Sequence, residues 1–172
     1  MRIKILALAC LMVLVLFAGC NKKPNIDISI DSGFITITTE EELYNAVERW
    51  TGKLEMMAKS THAAHDSWEA GEIDQDGYLE ELKLINSEMQ ELKRESDLKT
   101  DFDIIGSEAD HLRWNNLLLA YDNAKKALND FLVMAPELET EQQIVDMYIS
   151  KVKEGYQESL ELTEEYLDDY SN

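Results

Sequence analysis

From residue 39 onward, apolar residues return every three or four positions, the period of a helix that buries one face. In the first stretch Leu43, Val47, Trp50, Leu54, Met57, Thr61, Ala64 and Trp68 share a stripe. Thr39 with Glu42 three places later has the pattern of a capping box at its start, and Gly71 ends it. A second stripe, Leu82, Ile85, Met89 and Leu92, starts near Asp74, where Ile73 and Tyr78 are spaced as a hydrophobic staple, and fades around Asp97. The third runs Trp114, Leu117, Tyr121, Ala124, Leu128, Phe131 and Ala135 from a cap near Ser107, and Pro136, which has no N–H to give, stops it. Thr140 with Gln143 caps the fourth, which turns Val145, Tyr148, Val152, Ser159, Leu162 and Tyr166 inward. Gly155 falls on this stripe, where the missing side chain allows either a close helix approach or a bend. Long helices with short connections run antiparallel to their neighbours. Residues 39–172 are therefore expected to form an all-α, antiparallel four-helix up-and-down bundle.

The pattern before residue 39 is different. Ile26, Ile28 and Ile30 alternate with Asp27, Ser29 and Asp31, the chain reaches Asp31-Ser32-Gly33, and Ile35 and Ile37 alternate with Thr36 and Thr38. A period of two around a Gly turn predicts a β-hairpin that would need a surface to lie on, while an extended linker fits the same residues. The first residues differ again: Arg2 and Lys4 make a basic start, Ile5 to Ala18 are wholly apolar, and small residues Ala18 and Gly19 precede Cys20. This is the anatomy of a secretory signal. The apolar run is shorter than the ~20 residues a membrane-spanning helix requires. The division expected is a signal peptide at 1–19, a tether with the hairpin or linker at 20–38, and the helical domain at 39–172.

The residues Phe17-Ala18-Gly19-Cys20 resemble the lipobox of bacterial lipoproteins, with Phe17 standing where that pattern has Leu, Val or Ile. The resemblance is confined to the first 20 or so residues. It implies cleavage before Cys20, a diacylglyceryl group on its thiol, an acylated amine, and a protein exported and held to a membrane by lipid, on the cell surface, the outer membrane or its periplasmic face. Two lipid signals suffice for stable anchoring. Cys10 would leave with the signal, so Cys20 would have no intramolecular disulfide partner.

The chain has 16 basic and 35 acidic residues, a net charge of −19, and becomes more negative once Arg2 and Lys4 are removed. Such a surface repels phosphate backbones, so nucleic acid is excluded as a partner. Lys22 and Lys23, beside the expected anchor, are placed for anionic head groups.

Little in the residues points to catalysis. There is no Gly-rich phosphate loop and no Cys–His pair, and the many carboxylates follow helix faces, so no enzymatic activity and no cofactor are expected. The connector from Glu72 resembles an EF-hand loop in part, with Asp74, Asp76 and Gly77 in place, but Lys83 occupies the position of the bidentate carboxylate. Glu108 and His111 have one Glu-x-x-His spacing of a di-iron bundle without the second such motif. His62 and His65, one turn apart beside Asp66 and Glu69, are the candidate metal ligands, set against a reading as two solvated histidines on a helix flank. Two functions follow. The first is a non-enzymatic envelope lipoprotein whose acidic bundle, or hairpin edge, binds another envelope protein. The alternative is a lipoprotein that binds a small ligand or metal in the bundle interior or on the His62/His65 face.

Overall fold

The computed structural model describes residue 37, residues 39–96 and residues 108–171. The signal sequence, Cys20, the alternating segment up to Thr36 and the Ser107 cap lie outside the described residues. Helix α1 spans Glu40–Glu69, α2 Gln75–Ser96 and α3 Glu108–Met134. A 3₁₀ turn, Ala135–Glu137, leads to a fourth rod made of α4, Glu141–Tyr148, a π-helical segment, Ile149–Tyr156, and α5, Gln157–Ser171. The described residues are an all-α four-helix bundle.

Each boundary has a local cause. Thr39 accepts from the Glu42 N–H while the Glu42 carboxylate accepts from the Thr39 N–H, both at 3.1 Å, so two orphan donors of the first turn are satisfied. Thr140 and Gln143 repeat the arrangement at α4. At the end of α1, the Gly71 N–H donates to the Trp68 carbonyl and the Glu72 N–H to that of Ser67, the two bonds of a Schellman motif. Gly71 makes this turn at φ +69°, where a side chain would be strained. Asp74 then caps α2 by accepting from the Gly77 N–H at 2.9 Å, and Ile73 packs on the core. The Asp74 carboxylate, third in the calcium-loop pattern that begins at Glu72, is thus engaged in starting a helix.

Side-chain pairs fix the topology. His65 of α1 meets Tyr78 at the start of α2, while Arg49 and Lys53 meet Glu95 at its end. Gln90 reaches Asn129 and Lys125 reaches Ser96, so α3 runs back along α2. Lys151 faces Asp130 and Tyr170 packs on Trp114, reversing the rod against α3. Tyr170 and Tyr148 finally meet Tyr44 and His62 of α1, closing an up-down-up-down arrangement.

The core holds Trp50, Tyr78, Leu82, Met89, Trp114, Tyr121, Leu128 and Phe131. The α1, α2 and α3 stripes lie where the periodicity puts them, with Trp68 only partly covered. Thr61, a polar residue on the α1 stripe, is buried with its hydroxyl donating to the Met57 carbonyl at 2.9 Å.

The fourth rod departs from its predicted stripe. The buried positions are Ile144, Tyr148, Val152, Tyr156, Leu160, Thr163 and Leu167, whereas Val145, Ser159 and Tyr166 are half-covered and Leu162 is exposed. From Ile144 to Leu160 the repeat is a strict four. In an α-helix each such step overshoots a turn by about 40°, so four steps would carry Leu160 about 160° away from Ile144. The wider i→i+5 turns of the π segment remove that overshoot and keep the row facing the core. Gly155 lies within this segment; a Cβ there would meet the Ser150 carbonyl oxygen at 3.3 Å and the Ala127 Cβ of α3 at 3.7 Å.

Candidate functional site

At the α1–α2 turn end of the bundle, two histidines are joined to a set of aromatic rings. The α1 helix brings His62 and His65 one turn apart, α2 brings Tyr78, and α4 brings Tyr148. The Tyr148 ring lies parallel to the His65 imidazole, centroids 3.6 Å apart, and its hydroxyl is 2.6 Å from His62 Nδ1. One tyrosine therefore contacts both histidines. On its other side His65 places Nδ1 3.2 Å from the Tyr78 hydroxyl and Nε2 3.4 Å from Glu69 Oε1. Trp68 stacks on Tyr78 at 4.8 Å and also touches His65 edge-on, while Phe131 of α3 makes an edge contact with Tyr148 at 5.7 Å. The Lys153 ammonium stands 5.3 Å above the Tyr148 ring.

Burial governs the chemistry here. His65 is 1 % exposed. For both imidazoles the cost of enclosing a charge lowers the pKa below the ordinary 6.5; Asp66 beside His62 and Glu69 beside His65 work against this, and Lys153 adds to it. Burial raises Tyr148 to about 12, and the Asp66 and Glu69 carboxylates push the same way. Tyr78 moves up as well, first through burial and then through its neighbours Tyr148 and Glu69. At neutral pH the cluster is a set of neutral rings whose polar atoms answer one another.

The structure thus corrects the picture of His65 as a solvated flank residue: it is core, and its two ring nitrogens face Tyr78 and Glu69. His62 is half-buried with Nδ1 held by Tyr148. Among the described residues, no group of three or more His, Cys, Asp or Glu side chains is arranged to hold a metal ion. His111 is exposed on the first turns of α3, one turn before Trp114, at the opposite end from His62 and His65. Periodicity placed Tyr148 on a stripe and Tyr78 in a staple without pairing either with a histidine. The available signal was that His65 follows Thr61 by four, on the flank of the buried α1 stripe.

Between α1 and α2 runs an open groove of about 190 Å³, lined by Met56, Met57 and Leu92, by the carboxylates of Glu88, Glu91 and Glu95, and by Lys53. Ligand pockets of small molecules usually measure about 300–1,000 Å³, so this groove is shallow for such a role. Three polar atoms elsewhere in the core, Trp50 Nε1, Thr51 Oγ1 and Tyr156 Oη, have no hydrogen-bond partner among the described residues. No helix among the described residues is long and apolar enough to cross a membrane.

The fold and cluster define an antiparallel helical bundle closed at one end by a histidine–tyrosine stack. Comparison with protein-family models, with curated proteins and with solved structures finds no match to this chain.

Proposed function

We propose that the protein is a lipid-anchored lipoprotein of the bacterial cell envelope whose acidic bundle binds another envelope protein without catalysing a reaction. The observation that carries this reading is the apolar run from Ile5 closing on Ala18-Gly19-Cys20 behind a basic start. The lipid on Cys20 holds the chain to the membrane, and Lys22 and Lys23 meet the head groups beside it. The bundle, strongly acidic and capped at both ends, stands off as the interaction module. Packing of His62 and His65 against tyrosines favours this reading over metal or ligand binding, since their engaged nitrogens serve the fold.

Two experiments separate the parts of the proposal. Cys20→Ala should abolish metabolic labelling with a radioactive fatty acid and leave the precursor unprocessed; labelling that persists in this variant removes the anchor. Crosslinking in intact cells, with an unrelated bundle on the same lipid signal as control, should recover a protein seen only with the authentic bundle. Recovery of nothing beyond the control would end the partner reading and return attention to a small ligand.

A further inference from the structure

We propose that Tyr148 and the two imidazoles it joins form an acid-released latch, which fastens the α1–α2 turn end of the bundle to the fourth rod at neutral pH and lets go as the histidines take up protons. The latch belongs to the bundle alone and stands or falls independently of lipid attachment or of a partner.

On α1 the titratable groups are His62, His65, Asp66 and Glu69; α2 contributes Tyr78, α4 Tyr148, the π segment Lys153, and α3 the uncharged Phe131. With neutral imidazoles, every contact is satisfied: the Tyr148 hydroxyl donates to Nδ1 of His62, and the His65 ring lies flat on Tyr148 with both nitrogens answered. Protonation reverses this. A second N–H on His62 makes Nδ1 a donor, so the Tyr148 hydroxyl must turn its own proton elsewhere and accept instead. A proton on His65 places a cation at a site 1 % exposed, beside a second cation on His62 and with Lys153 over the same tyrosine ring. Glu69 and Asp66 offer partial compensation, yet both are exposed and share their field with water. The Tyr148 face also attracts a cation, a smaller effect than enclosing one.

Because one ring serves both histidines, losing either contact weakens the other. Release uncovers Trp68, Tyr78 and the Phe131 face, apolar surface that neutral pH keeps covered. The other carboxylates complicate a bulk measurement. Acidification relieves repulsion in a chain of net charge −19, and Glu164, whose pKa burial and then Glu55 raise, takes up a proton more readily in the folded than in the unfolded chain, so the rest of the bundle gains stability as the latch loses it.

The test is therefore local and differential. Amide hydrogen exchange of the full chain, corrected for the intrinsic effect of pH, is compared at pH 7.5 and 5.5 for the wild type and for the His62→Gln/His65→Gln double variant. The expected result is that amides of residues 62–69, 78–82 and 144–152 in the wild type lose protection at least about tenfold relative to amides of residues 114–124, with no such loss in the double variant. Equal losses in wild type and variant overturn the proposal. If the double variant does not fold, the wild type decides alone, through the imidazole proton resonances followed by NMR. Titration of both rings at the value of free histidine, with protection unchanged around them, overturns it too.

Discussion

At the Thr39 end of the bundle, Tyr44 stacks on Tyr170 with ring centres 4.8 Å apart, Trp114 packs against the same ring at 5.0 Å, and the Arg113 guanidinium lies 5.3 Å above it. At the other end Tyr148 plays the part of Tyr170, with Lys153 above it, but the rings it meets include His62 and His65. Both ends fasten α1 to the fourth rod through one tyrosine under one cation. The difference is that the Thr39 end is built from tyrosine and tryptophan rings, while the opposite end has imidazoles in the stack. Similar packing thus gives two ends that respond differently to acid, and the comparison can be tested by removing its parts in turn.

The largest effect is expected from Tyr148→Ala. Loss of a fully buried ring that contacts two histidines and Phe131 should cost about 3–5 kcal/mol in urea unfolding, against about 1–2 for Tyr170→Ala, whose ring is half-exposed. Equal costs would make the two ends equivalent in packing. Next comes pH. The folded-state pKa values of His62 and His65 lie below 6.5, so their contribution is present above the unfolded value and is lost as pH falls through the folded ones. Each unit of depression corresponds to about 1.4 kcal/mol. Subtracting the urea stability of the His62→Gln/His65→Gln variant from that of the wild type at pH 7.5, 6.5 and 5.5 should give a difference that shrinks with acid; a difference that grows would reverse the assignment.

The caps provide a control that ignores pH. Thr39→Ala and Thr140→Ala each remove a side-chain acceptor from a capping box, one at each end, and each should cost about 1 kcal/mol. Unequal costs would show that one end is intrinsically looser before any proton is added. The smallest expected effect lies between the ends. Gly52 is inside α1 and a Cβ there meets nothing within 4 Å, so Gly52→Ala should raise stability by about 0.5–1 kcal/mol, read as a shift of the urea midpoint at unchanged slope.

Much of this architecture was legible in the residues. Thr39, Gly71, Asp74, Pro136 and Thr140 mark starts and stops because their effects are local, and the α3 stripe from Trp114 to Ala135 is buried throughout. The phase of the fourth rod was not legible. Tyr148 and Val152 belong to a three-four stripe and equally to a strict row of fours, and only packing against α3 selects the second. The depth of His65 was missed for a related reason: whether an imidazole one step off a stripe is wet or buried depends on Tyr148, which reaches it from another helix. A histidine's own neighbours in the chain, here acidic, suggested solvent or metal, whereas its neighbours in space are rings.

The π segment implies that the fourth rod is one residue too long. If Glu154, exposed and on the outer side, were deleted, the buried positions beyond it would each move up by one and their spacing would become four, four, three, four, three, four, which an ordinary α-helix satisfies without wider turns. The shortened chain should keep both ends in register with α1 and α3, so a length difference of one residue at this place is the change the bundle is best built to absorb.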